Sequence, residues 1–567
     1  MQAAERRGSA RATAILATLS ALAFALSFPL SATFVAGWPL AFAWPAFLAL
    51  AVLRAPRPRT LVPAVGVPFF LAFLAHEWWM RHITELGMPV LVLYLTGWTV
   101  VLALVLRALV GQGGRRWPMA LALPVTLVSI ECLRGELVCS GYAWFFTAHP
   151  LVEWTTIAQV AAFGGGWMVT ALAALVAGAA VDLWTRADRA RILSPIVALT
   201  MLALAIGYGT ARIAAVDARI ARATDTPRLL VVQTNLPMSN KLDWPPDAQI
   251  EDFLAFARLT IDGARAARSG GSDPDGASRL TAALWPETML PGLGLEPESI
   301  KTLVDGGYYP GNRYEEAMRD LATRIDAPLL VGSPAYLGLR VEGNRFRWSE
   351  QFNSAYLVGA DGVLGRTDKI YLTPFGETMP IISNSDWLEA QLLALGADGM
   401  TFDLEAAARP QVLAVPGRDG AAAVTIGVPI CFEITQAWAS RRIVFAEGKR
   451  VAGIAVNLSN DGWFGPSRAG RRQHLQVAQL RAIELDTPVV RCVNTGISAS
   501  IDAAGRVLEG LAPETDGSFV ATPTPSTGVP PSYWLTNATS FTALGLLAIG
   551  LIRTRRDFEA VAAVPIV

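Results

Sequence analysis

Apolar positions along this chain fall into two regimes. In roughly the first 213 residues they form long runs broken by short polar stretches, whereas from about Pro227 to Tyr533 they form short β-branched runs separated by charged and polar segments. A bilayer core about 30 Å thick needs about 20 mostly apolar residues per helix. By that measure seven membrane spans are expected, from Thr13 to Pro29, Trp38 to Leu53, Leu61 to Trp79, Met88 to Leu106, Trp117 to Leu133, Val160 to Leu183 and Leu193 to Arg212. An eighth, shorter run from Leu535 to Ile552 closes the chain. Pro63, Pro68, Pro89, Pro124, Pro195 and the triplet Gly164-Gly-Gly166 interrupt these runs, which membrane helices tolerate when neighbours satisfy the freed backbone.

The middle segment alternates strand-like and helix-like patterns and reads as one α/β domain. Strands are expected at Leu229 to Gln233, Ala282 to Trp285, Leu329 to Gly332, Ser354 to Val358, Val424 to Ile430, Gly453 to Val456, Val489 to Val493 and Ile497 to Ile501. Helical spacing marks Ile250 to Ala267, Arg313 to Ile325 and Gln473 to Leu485. Nearly continuous apolar strands imply a sheet covered on both faces. Ser269 to Gly276, rich in Gly, Ser and Asp, reads as a surface loop. The expected domains are 1–226, 227–533 and 534–567, with no visible repeat.

Composition agrees with a membrane protein. The 567 residues are 52% hydrophobic and 17% charged, with mean hydropathy +0.38. A formal net charge of zero gives no reason to expect a nucleic-acid partner. Arginines sharpen the topology, because positive residues favour cytoplasmic ends of spans. Arg6, Arg7 and Arg11 precede the first span; Arg54, Arg57 and Arg59 follow the second; Arg107, Arg115 and Arg116 the fourth; Arg186, Arg189 and Arg191 the sixth; Arg553, Arg555 and Arg556 the eighth. Both termini are then expected inside, and the α/β domain outside. The first span also fits a signal peptide, though six further spans follow it directly.

Four cysteines, Cys132, Cys139, Cys431 and Cys492, are too few and scattered for a disulfide framework or a zinc site. Cys431 is different in kind, because it ends the apolar run Val424 to Ile430 and places a thiol where a buried strand emerges. Glu287, in Trp285-Pro-Glu287, and Lys369 likewise follow strand-like runs. A Glu whose pKa is raised by burial can take a thiol proton, and a fixed ammonium can stabilise an anionic tetrahedral intermediate, aided by the backbone N–H of Phe432. Attack on a carbonyl would leave a thioester on Cys431, so the reaction class is acyl transfer or amide hydrolysis. A cysteine of the core and a carboxylate that merely caps a turn are the ordinary alternatives. A Cys–His pair is another, with His474 as the one histidine of this segment. Glu131 and Arg134, three apart near the outer end of the fifth span, fit either a pair on one helix face or ordinary helix packing.

Trp285-Pro-Glu287, Pro374-Phe-Gly-Glu377, Cys431-Phe-Glu433, Asn457-Leu-Ser-Asn-Asp-Gly-Trp-Phe-Gly465 and Gln473-His474 leading to Glu484 resemble, in this order, motifs of the nitrilase (carbon-nitrogen hydrolase) superfamily. With the membrane spans, nearly the whole chain is similar to the bacterial apolipoprotein N-acyltransferase family. The resemblance implies a polytopic α-helical membrane domain of about eight spans carrying a periplasmic α/β αββα sandwich. It makes Glu287 the general base, Lys369 the oxyanion stabiliser and Cys431 the nucleophile, with Glu377 and Glu433 as supporting carboxylates. Phe432 matches an aromatic position, Trp244 a loop tryptophan that covers the site, and Asn457 and Asn460 an asparagine-bearing loop; an ordinary turn at Asn460-Asp-Gly462 is the plainer reading. Tyr371 departs from the family, which usually carries a histidine or basic residue there. So do Asp486-Thr-Pro488, in place of a more basic stretch, and Gly141-Tyr-Ala-Trp-Phe145, which matches only loosely.

The same resemblance implies a two-step reaction in the bacterial inner membrane. Cys431 takes an acyl chain from a phospholipid, phosphatidylethanolamine being the expected donor, and passes it to the α-amino group of a lipoprotein's diacylglyceryl-cysteine. No metal or organic cofactor is expected, since the thiol carries the acyl group. A membrane-tethered amidase would keep the three residues and use water as acceptor, but a single anchor would then suffice. A transporter would require more charges within the spans than Glu131 and Arg134 provide.

Overall fold

Long apolar runs become helices because nothing else satisfies the backbone away from water. In the computed structural model, residues 9–30, 37–85, 87–111, 116–224, 226–237, 244–269, 279–343, 345–374, 376–378, 404–417 and 422–562 are described, the side chains only as far as residue 555. The chain divides into two compact units, one formed by Met1–Ala214, Ser467–Gln476 and Pro530–Val567, the other by Ala215–Pro466 and Val477–Val529.

In the first unit a helix stands at each of the eight expected places: Ala10–Ser27, Leu40–Arg54, Leu61–Glu77, Gly87–Val110, Met119–Cys132, Gly166–Thr185, the start of Ala190–Arg222, and Ser532–Ala562. Six stretches, Ala10–Ser27, Pro58–His82, Gly87–Val110, Gly166–Thr185, Ala190–Arg222 and Ser532–Arg555, are long and apolar enough to cross a membrane. Leu40–Arg54 and Met119–Cys132 are shorter, at 15 and 14 residues. Ile15, Leu19, Leu22 and Leu26 of the first helix and Leu193, Ile196, Val197 and Leu199 of the seventh are exposed, as suits faces turned to lipid.

Two expectations in this unit need correction. The sixth span does not run unbroken from Val160, because Ala161–Gly164 is a separate turn and Gly165 has φ +75°. A Cβ on Gly165 would sit 2.6 Å from the Thr536 side chain, so glycine permits both the break and the close approach. Nor do Glu131 and Arg134 pair with each other. Glu131 accepts from the backbone and hydroxyl of Thr147 at 2.8 and 2.7 Å and from Thr170 at 2.8 Å, while Arg134 donates to the carbonyls of Tyr142 and Trp144 at 3.2 and 2.8 Å. Each of the two instead anchors the connecting segment that follows the fifth helix.

The second unit contains two six-stranded sheets. In the first the spatial order is Gly517–Ala521, Leu229–Gln233, Ala282–Leu284, Leu329–Leu337, Glu350–Gly359, Gly362–Asp368, with the second to fourth strands parallel. In the other it is Val507–Gly510, Ala499–Ile501, Val489–Val493, Ile454–Ser459, Val424–Gly427, Leu413–Val415, with the third to fifth parallel. Alternation along each strand divides the core. Val231, Leu284, Leu330 and Leu357 pack against Ile426, Val456, Leu458 and Val490 of the other sheet. Leu230, Val232, Ala283 and Val331 face outward onto Phe253, Phe256, Met318 and Leu321 of the helices Pro246–Ser269 and Arg313–Ile325. On the far side of the second sheet, Ile443 of helix Ala437–Val444 closes over Gly427. This is the expected αββα sandwich. The expected cover on both faces of each sheet is found, but one cover is the other sheet.

Candidate active site

The chemistry-bearing residues all leave strands at their C-terminal ends, where open α/β sheets bind ligands. Glu287 lies three residues beyond Ala282–Leu284, Lys369 directly follows Gly362–Asp368, Asn460 directly follows Ile454–Ser459, and Cys431 stands just beyond Val424–Gly427. Two of these exits are in left-handed backbone, with φ +52° at Cys431 and +51° at Thr288 beside Glu287. A non-glycine residue in that region costs on the order of 1 kcal/mol or more and persists where surroundings enforce it. The result is a thiol and a carboxylate held off the ends of two sheets.

Charged groups meet there almost without water, with Glu287 5% and Lys369 1% exposed. Lys369 Nζ lies 2.6 Å from Glu377 Oε2 and 3.8 Å from Glu287 Oε1. Asn353 Nδ2 donates to both carboxylates, at 2.8 Å to Glu287 and 3.1 Å to Glu377. The backbone N–H of Asn460 donates to the other oxygen of Glu287 at 2.9 Å. Glu377 also accepts from Thr373 N at 2.8 Å, closing the loop that follows Lys369.

The buried lysine keeps its charge. Burial works against it, but the carboxylates of Glu377 and Glu287 outweigh burial and raise its pKa. Burial likewise opposes ionisation of Glu377, yet contact with Lys369 and the donors Thr373 and Asn353 hold its carboxyl below the usual range. The thiol of Cys431 is pushed up by burial first and by the Glu287 carboxylate second, with Lys369 and the Ser459 hydroxyl opposing. At rest the sulfur is therefore protonated, and nucleophilic attack needs a base at the moment of reaction.

Glu433 serves as a clamp. It accepts from Ile370 N at 2.6 Å, Tyr371 N at 2.9 Å and Ile430 N at 2.7 Å, which ties the loop after Lys369 to the loop before Cys431. Burial pushes its carboxyl up to about 7, against Lys369 and those three N–H groups, which favour the carboxylate. Asn457 Nδ2 donates to the carbonyls of Pro429 at 2.8 Å and Cys431 at 3.3 Å, while its oxygen accepts from Arg491 at 2.9 Å. Arg491, fully buried, also meets Asp461 at 3.2 Å, and Ser459 donates to Asp461 at 2.9 Å.

The structure thus brings Glu287, Lys369, Cys431, Glu377, Glu433, Asn457 and Asn460 together. Phe432 packs with Tyr371, its ring stacked at 6.5 Å, so Tyr371 fills with an aromatic surface the place of a basic residue. Trp244 is placed differently. Its indole donates to Asp252 at 2.8 Å and it packs on the outer core of the first sheet, while Lys241 to Asp243 beside it lie outside the described residues. His474 sits in the helical unit with its ring 5.8 Å from that of Trp144. Phe375 and most of the expected loop at Ser269 to Gly276 also lie outside the described residues.

Asn353, Ser459 and Asp461 were missed as site residues by sequence reasoning. No sequence signal marked Asn353, which stands just before the apolar run Ser354 to Val358.

Residues 20–179 match the model of the apolipoprotein N-acyltransferase N-terminal domain, and residues 276–527 the model of carbon-nitrogen hydrolases. The chain joins the N-terminal domain of apolipoprotein N-acyltransferases to a carbon-nitrogen hydrolase domain. A relative of that name from Rhizobium meliloti is 28% identical over 79% of this chain and 77% of its own length. Another, from Geobacter metallireducens, is 28% identical over 88% of this chain and 87% of its own. Among solved structures, an amidase of the nitrilase superfamily from Nesterenkonia AN1 aligns at 15% identity with TM-score 0.33, covering 56% of this chain and 95% of that one. The carboxylate, ammonium and thiol of this chain lie in the part matched by the hydrolase model, and most of the apolar helices in the part matched by the other.

Proposed function

We propose that this chain N-acylates lipoproteins, moving an acyl chain from a membrane phospholipid to the α-amino group of an N-terminal diacylglyceryl-cysteine. The enzyme is an acyltransferase, and its substrates are lipid and lipoprotein. The observation that carries the mechanism is the cysteine thiol at a strand exit beside the buried Glu287 carboxylate and its Lys369 partner. In the first half-reaction Glu287 takes the Cys431 proton as sulfur attacks the ester carbonyl. Lys369 stabilises the oxyanion, the C–O bond breaks, and the leaving alkoxide recovers the proton from Glu287. A thioester and a lysophospholipid result. In the second, the amine attacks the thioester, Glu287 carries one N–H proton to the departing sulfur, and an amide is formed. Phosphatidylethanolamine is the proposed donor. The arginine-rich boundaries support a topology with both termini in the cytoplasm and the catalytic unit in the periplasm, across an inner membrane.

Intact mass after incubation with phosphatidylethanolamine alone tests the first step. The wild type is expected to gain one acyl mass that hydroxylamine removes, and Cys431→Ala to gain none. An unmodified wild type that instead cleaves simple amides would make the chain an amidase.

A further inference from the structure

The amide of Asn353 is only half used by the resting site. Its nitrogen carries two hydrogens, and both are spent, one on Glu287 Oε1 and one on Glu377 Oε1. The opposite amide orientation would set its oxygen against two carboxylates, so the chemistry fixes which end is nitrogen. The remaining atom, Oδ1, is buried and meets no hydrogen-bond donor among the described residues. An unpaired buried acceptor in a native site calls for an explanation. Amide geometry separates nitrogen from oxygen by about 2.2 Å, which with the 2.8 Å hydrogen bond puts Oδ1 within about 5 Å of the carboxylate assigned as base. The backbone is fixed as well, since Lys369 N donates to Asn353 O at 2.9 Å.

We propose that Asn353 is a catalytic residue of the second half-reaction, its Oδ1 accepting the N–H that the attacking amine keeps. This rests on the acyl-transfer reading above. A neutral primary amine brings two N–H hydrogens to the thioester. Glu287 removes one and delivers it to Cys431 as the C–S bond breaks and the C–N bond forms; the other stays on nitrogen and becomes the amide hydrogen. Asn353 Oδ1 pairs with this retained hydrogen, aims the nitrogen lone pair at the thioester carbon, and gains its missing donor. A thiol acceptor cannot use it in this way. It has a single hydrogen, which the base takes, so it has nothing to offer Asn353. The first half-reaction, in which sulfur is the nucleophile, does not use Oδ1 either.

The test separates this role from simple holding of Glu287. Full-length enzyme in detergent is loaded with phosphatidylethanolamine to the thioester. Its discharge is then followed in single turnover with two probes, a diacylglyceryl-cysteinyl lipopeptide and an alkanethiol. Asn353→Ala is expected to slow amine discharge by roughly tenfold or more beyond any slowing of thiol discharge. Equal slowing of both, or of neither, would overturn the proposal and leave Asn353 a spacer between carboxylates. Should Asn353→Ala not fold, Asn353→Ser keeps a polar group in the strand and is read by the same ratio. Failure of the wild type to form any thioester would overturn the acyl-transfer reading itself, and the proposal with it.

Discussion

At the scale of the residue, the site is a set of opposed charges in which burial and neighbouring charge together decide protonation. Cys431 illustrates the sign. Burial and the Glu287 carboxylate raise its pKa, so at neutral pH the thiolate is a small minority. Alkylation by iodoacetamide is expected to be slow at pH 7 and to reach half its limiting rate above the roughly 8.5 of an ordinary thiol. The increment lost in Cys431→Ala reports this site alone. A half-maximal rate reached below the ordinary thiol value would mean a preformed thiolate and no need for Glu287 as base. Part of this chemistry is legible in the sequence, because Glu287 and Cys431 each follow an apolar run, whereas Lys369 follows the polar strand Gly362–Asp368. Asn353 is not legible as a site residue. Its meaning lies in two carboxylates 66 and 24 positions away, and only folding brings them to one nitrogen.

Elements place these residues by how closely their backbones approach. Strand Leu329–Leu337 passes the segment carrying Glu287 so tightly that a Cβ on Gly332 would lie 2.5 Å from Glu287 Cα and 2.5 Å from Thr288 N. Both are main-chain atoms, so no side chain can swing aside. Gly332→Ala is therefore expected to shift the base. Overpacking of this kind costs about 1–3 kcal/mol in stability, and a displacement near ~1 Å lowers turnover about 100-fold. Thermal unfolding together with thioester formation measures both effects, and unchanged thioester formation would show that the strand yields instead. The same scale explains which elements the sequence disclosed. Leu229–Gln233 and Val489–Val493 are buried throughout and appear as apolar runs with matching bounds. The strand Val507–Gly510 is exposed and Gly362–Asp368 is only partly buried; both carry glycine and charge and have no such signature. Strand Glu350–Gly359 extends four residues before its apolar run because Glu350 to Asn353 pair with Leu337 to Pro334 in the sheet.

At the scale of the whole molecule the question is how many helices cross the membrane, and parity and charge both bear on it. Leu40–Arg54 and Met119–Cys132 span only about 22 and 21 Å at about 1.5 Å per residue, short of a hydrocarbon core of about 30 Å. Counting all eight helices as spans, or only the six long ones, puts the α/β unit on the same side, because the two counts differ by an even number. They disagree on the ground between the second and fifth helices. With eight spans Arg54, Arg57 and Arg59 are cytoplasmic; with six they lie outside, against the preference of positive residues. The charge pattern therefore favours crossing by the short helices, with flanks such as Trp38 and the extra turn Leu133–Leu137 to lengthen them. Arg57 is exposed just beyond the second helix and offers a direct reading. In spheroplasts, a membrane-impermeant maleimide is expected to leave Arg57→Cys no more labelled than the parent, and to label it once the membrane is permeabilised. Labelling of intact spheroplasts would instead make Leu40–Arg54 a helix that dips without crossing, and would turn the basic loop toward the face assigned to the catalytic unit.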